Sequence, residues 1–112
     1  MGFLRHAAVL VHGAGGGGWE WDAWARVLRA AGWRVFAPDL QPAPAGLAST
    51  RLSDYREQVA GSLARARHEA DRVVAVGASL GGLLVLLEGA DADARVLVNP
   101  MPPEGLPGAA AP

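Results

Sequence analysis

VGASLGG, residues 76–82, joins a run of β-branched residues to an apolar stretch through a serine held among glycines. The segment before it, RVVAV (Arg72 to Val76), reads as a strand, and Leu80 to Gly89 reads as a short helix that is apolar nearly all round. A sharp strand-to-helix turn must lie between them. Gly77-Ala78-Ser79-Leu80-Gly81 fits the G-x-S-x-G pattern in the context that pattern requires. Ser79 on such a turn stands above the strand end as a nucleophile does, and the Leu80 amide points where an oxyanion forms. Gly77 and Gly81 suit the crowding, because a Cβ at either position would meet backbone. The plainer alternative is a serine capping a helix after a buried strand.

Strand and helix alternate along the rest of the chain. AAVLV (Ala7 to Val11) is a continuous apolar run, as in a strand covered on both faces, and a glycine-rich loop, His12 to Gly18, follows it. Between Trp19 and Ala31 the apolar residues recur at three and four, which predicts an amphipathic helix ended by Gly32. WRVFA (Trp33 to Ala37) is the second strand, and Pro38 to Thr50, with three of the eight prolines, is a loop. Ser53 is placed to cap a second helix, its buried side being Tyr55, Val59, Leu63 and Ala66. ARVLV (Ala94 to Val98) is the fourth strand. The expected fold class is α/β, a three-layer parallel sheet of about four strands with helices on both faces and right-handed crossovers. Residues 1–103 read as one domain, and residues 104–112 as a Pro/Gly/Ala-rich tail.

Composition narrows the function. The 112 residues carry a formal net charge of −1 and half are hydrophobic, so a packed core is expected and a nucleic-acid partner is not. The four tryptophans, Trp19, Trp21, Trp24 and Trp33, have no basic run beside them. No lysine is present for a Walker-type phosphate loop, and no cysteine for a thiolate or disulfide. Three scattered histidines predict no metal site. No apolar run approaches the roughly 20 residues of a membrane span, and the expected location is cytoplasmic.

A second loop complements the serine. After the first strand, His12 and Gly13 open a turn that aims a further backbone N–H, that of Ala14, toward the same oxyanion. The two stretches lie more than sixty residues apart and supply different parts of one acyl-transfer site. Together, the HGA at His12 to Ala14, the Trp19-Glu20-Trp21 helix start, AAGWRVFAPDL at Ala30 to Leu40 and the GASLGG elbow at Gly77 to Gly82 resemble the α/β-hydrolase family. Within it they are most similar to the plant methylesterase and hydroxynitrile-lyase group. The resemblance implies Ser79 as nucleophile, the Ala14 and Leu80 amides as oxyanion hole, and His12, Gly13, Gly77 and Gly81 as supporting loop residues. It implies a small ester or acyl substrate, no cofactor, and hydrolase or lyase chemistry.

One departure weighs on these expectations. In that family an acid and then a histidine follow the serine on loops after later strands, and this chain carries neither segment. His6, His12 and His68 are poor substitutes by position, and Asp39 reads as a loop-fixing carboxylate. The expectation is a partial or low-activity hydrolase, half of a split enzyme, or an acyl-binding domain. A complementary half or a second copy would meet it at the open sheet edge of Ala94 to Val98. The alternative from another class is dinucleotide binding: Gly13 to Gly18 satisfies G-x-G-x-x-G, and Asp39 stands near a ribose-binding position.

Overall fold

The structure is a computed structural model and describes residues 4–99, so the expected tail at residues 104–112 and the domain boundary at 103 lie outside the described residues. Four strands and three helices follow in the order β1 (His6–Val11), α1 (Asp22–Ala30), β2 (Arg34–Phe36), α2 (Leu52–Glu69), β3 (Arg72–Ala78), α3 (Leu80–Glu88) and β4 (Ala94–Val98). All pairings are parallel and the sheet order is β2-β1-β3-β4. No helix among the described residues is long and apolar enough to cross a membrane.

The period of two along β1 divides the core. Ala7, Val9 and Val11 point to one side, where Val59, Leu63 and Ala66 of α2 and Leu84 and Val85 of α3 cover them. Ala8 and Leu10 point to the other, against Trp21, with Leu28 of α1 packed on the same cluster. Two helices therefore cover one face and one helix the other, which makes three layers. The arrangement leaves β4 at an edge, and all five of its residues are exposed.

Caps mark the helix ends, not always where the sequence suggested. Gly32 ends α1 in the left-handed region (φ 91°), its N–H bonding the Arg29 carbonyl at 2.9 Å and that of Trp33 bonding Leu28 at 3.0 Å, a Schellman motif. The single helix expected from Trp19 is instead a 3₁₀ turn, Gly18–Trp21, leading into α1. Ser53 does not cap α2. The extended residue is Arg51, whose N–H donates to Asp54 Oδ2 at 2.7 Å, so the acid of the first turn supplies the cap by reaching back. The buried side of α2 is Val59, Ser62, Leu63 and Ala66, with Tyr55 half-buried.

Asp93 fastens the start of β4. Its Oδ2 accepts the Val73 N–H at 2.7 Å, its own N–H donates to the Val73 carbonyl at 2.8 Å, and Arg72 lies 3.5 Å from the carboxylate. The Val73 N–H, with Arg72 assisting, holds the Asp93 carboxyl below the usual aspartate range. A carboxyl whose pKa is lowered by folding contributes stability above its unfolded pKa of about 3.9, and that contribution fades as pH falls through the folded value. Urea denaturation across the acid range is expected to find wild type more stable than Asp93→Asn near neutral pH, with the gap closing below about pH 4. A gap independent of pH would exclude a role for the charge.

Candidate active site

In the order β2-β1-β3-β4 the chain leaves β1 toward one edge and returns to its other side at β3. Crevices form at the carboxyl ends of strands where the order reverses. Register makes the two loops at this point meet, because Val11 is level with Gly77, so the segments after β1 and after β3 leave the sheet at nearly the same height. A Cβ built on Gly13 would lie 3.2 Å from Ser79 Cβ and 3.8 Å from Ser79 Oγ. The glycine loop therefore rests against the serine.

Ser79 occupies the sharp turn expected of it. Its backbone stands at φ 53° and ψ −119°, a conformation costing roughly 1–3 kcal/mol for a residue with a side chain. Neighbouring structure holds it there. Its N–H donates to the Val98 carbonyl at 3.0 Å, and its own carbonyl accepts the N–H of Gly82 at 2.9 Å. The side chain is exposed. A Cβ on Gly77 would overlap the Gly81 carbonyl oxygen, and one on Gly81 would overlap that of Val11 and lie 2.5 Å from that of His12. Both glycines are demanded by space, since neither has a positive φ.

The loop after β1 is a tight turn. Gly16 N–H bonds the Gly13 carbonyl at 3.2 Å and Gly15 stands at φ 76°, which defines a type II turn with Ala14 and Gly15 at its centre. Leu80 begins α3, so its N–H has no acceptor within the helix. Ala14 and Leu80 line one cavity of about 380 Å³, together with His12, Leu40, Leu47 and Tyr55. Among the described residues no carboxylate or guanidinium lines it.

His12 is buried and both ring nitrogens are engaged. Nε2 accepts the Leu40 N–H at 3.0 Å, which leaves the proton on Nδ1, 2.7 Å from the Gly13 carbonyl that accepts it. The ring thus ties the glycine loop to the segment after β2. His6 stacks on Trp33 with ring centroids 4.9 Å apart, at the start of β1 and hence about 20 Å from the serine end of the sheet. His68 is exposed on the last turn of α2, which leads back to that same far end. Among the described residues no histidine is placed to take the Ser79 proton, and no group of His, Cys, Asp and Glu could hold a metal ion.

Two carboxylates answer the dinucleotide alternative. Glu20 accepts the Gly17 N–H at 3.1 Å and its side chain fills the space beside Gly16, where a pyrophosphate would need to approach. Asp39 accepts the Gly18 N–H at 3.0 Å and a Gln41 side-chain N–H at 2.9 Å, so it fixes the loop. The strand order also differs from the 3-2-1-4 arrangement of that fold. Sequence reasoning did not foresee Gln58, whose Oε1 accepts the Gln41 N–H at 2.8 Å and whose Nε2 donates to the Gln41 carbonyl at 2.8 Å, clamping one cavity wall. Nor did it foresee that β4 tethers Ser79. Both depend on long-range register, which leaves no local pattern.

The glycines give a graded test of this geometry. Gly81→Ala is expected to cost about 3 kcal/mol or more in urea denaturation, because rigid backbone must move. Gly15→Ala, in open space but at positive φ, should cost about 1–2 kcal/mol. Gly61→Ala, exposed in mid-α2 with nothing near its Cβ, should stabilise by about 0.5–1 kcal/mol.

Comparison with known proteins agrees with this arrangement. Residues 8–112 match the model of the alpha/beta hydrolase family. A probable esterase of Oryza sativa is 40% identical over 83 residues, which are 70% of this chain and 31% of that protein. A pyrethroid hydrolase from Sphingobium faniae superposes with a TM-score of 0.69 at 30% identity, over 87% of this chain and 40% of its own. Tomato methylketone synthase I superposes at 0.65 with 26% identity, over 91% and 43%. The chain thus spans about a third of the curated esterase and about two fifths of these solved structures. With residues 8–112 matched by the family model, the chain belongs to the alpha/beta hydrolase family.

Proposed function

We propose that this chain carries the nucleophile half of a serine hydrolase acting on small uncharged esters or related acyl compounds. The observation that carries the reading is the approach of Gly13 to Ser79 at the β1/β3 switch point, which brings the glycine loop against a strained serine. Ser79 Oγ attacks the acyl carbon, the N–H groups of Ala14 and Leu80 stabilise the oxyanion, and the alcohol leaves as the acyl-serine forms. Water then releases the acid. The apolar cavity walls of Leu40, Leu47 and Leu80 suit a neutral acyl or alcohol group. The rice relative's name, a probable esterase, supports the same class.

The proton of Ser79 still needs an acceptor. We assign the acid and base to a complementary segment or a second copy meeting the exposed β4 edge, which adjoins the elbow through the Val98 to Ser79 hydrogen bond. Without that acceptor an oxyanion hole still gives a residual rate of roughly 10³ to 10⁴ over water. The engagement of both His12 nitrogens favours a second reading, an acyl-binding domain with an unpowered serine.

Intact-mass spectrometry after exposure to a fluorophosphonate separates a powered serine from an unpowered one. A single adduct, absent from Ser79→Ala, is the expected result if a base reaches the serine in a self-associated chain. A folded chain that stays unlabelled supports the binding domain or a half awaiting its complement. Light scattering on the same sample tests self-association, and a monodisperse monomer that still labels would remove the need for the edge.

A further inference from the structure

A cavity of about 610 Å³ lies at the opposite end of the sheet from Ser79. Its charge sets it apart. Arg5, Arg29, Arg34 and Arg65 line it, four of the chain's ten arginines, against a single lining carboxylate, Glu69, of the chain's eleven acids. These arginines are scattered through the sequence, and the fold gathers them. Arg5 precedes β1, Arg29 ends α1, Arg34 opens β2 and Arg65 belongs to α2. A chain with a net charge of −1 thus carries a strongly positive cleft.

Aromatic rings form part of its wall. Trp33 stacks on His6, and the Arg65 guanidinium sits 5.5 Å from the centre of the Phe36 ring. Ring contact on one side restrains a guanidinium and leaves its N–H edge free to donate. The existing ion pairs are loose. Arg34 lies 3.5 Å from Glu69 and Arg5 Nε lies 4.0 Å from Asp71, with all four side chains substantially exposed. Exposed pairs of this kind hold their partners weakly, so a ligand of higher charge competes well.

We infer that this cleft binds a small polyanion bearing phosphate groups, at a site separate from the acyl chemistry. Guanidinium forks pair two oxygens at once, and four of them against the loosely paired Glu69 and Asp71 call for a ligand with several negative charges. The volume falls in the usual range for a small-molecule site.

Isothermal titration calorimetry with sodium tripolyphosphate, against sodium sulfate at matched ionic strength, tests the inference. Saturable one-to-one binding of tripolyphosphate is expected. Arg34→Gln and Arg65→Gln should each weaken it by about tenfold, with the circular dichroism of a folded chain. Arg26→Gln, on α1 but outside the cleft, and Ser79→Ala should bind as wild type does, the latter independently of whether the serine reacts. The inference is overturned by a folded chain that gives no saturable heat, or by Arg26→Gln weakening binding as much as Arg34→Gln. It is overturned equally by a single-stranded oligonucleotide of equal charge binding more tightly than tripolyphosphate, which would make the surface a nucleic-acid contact.

Discussion

The first turn of α3 packs directly on the end of β1, where a Cβ on Gly81 would overlap the carbonyl oxygen of Val11 and crowd that of His12. No side chain fits there. Because α3 can come so near the sheet, the turn before it must be abrupt, and Gly77 opposite Gly81 permits that. The strain of the turn then falls on Ser79. Remove the approach, and the serine moves away from the Gly13 loop and from the cavity that Ala14 and Leu80 share. A packing constraint between a helix and a strand thus sets the position and backbone conformation of Ser79.

Burial distributes the supporting energy unevenly. On the side of α2 and α3 the core is continuous, with Val9, Val11, Val59, Val73, Leu84 and Val85 almost wholly buried. On the other side α1 covers β1 and β2. By register Ala94, Val96 and Val98 share the orientation of Val74, Val76 and Ala78 toward the α1 side, and the β4 members of that row stay exposed. Trp24 and Val27 are exposed on α1 itself. The sheet is therefore well founded at its centre and thinly covered toward β4.

Much of this was legible in residue order. The alternation of apolar runs with helical periods gave the α/β class, and G-x-S-x-G after a strand located the sharp turn at Ser79, because a turn that tight constrains its own five residues. Gly32 announced the end of α1 for the same reason of local geometry. Ser53 misled, since cap preference is local while the helix start was decided by Asp54 reaching back to Arg51. The hydrogen bonds between Gln58 and Gln41, and the gathering of Arg5, Arg29, Arg34 and Arg65, depend on which segments the sheet order makes neighbours. Periodicity does not contain that information.

The tether from Val98 to the Ser79 amide links the most strained residue of the site to the least protected strand. Local opening of a protein follows its weakest cooperative unit, not its global stability. Fraying of β4 would release the serine from its unusual backbone conformation while β1, β2 and α2 stay folded. The backbone geometry of the turn is thus a property of the sheet's rim, and whatever covers that rim also governs how much of the time Ser79 keeps its unusual conformation.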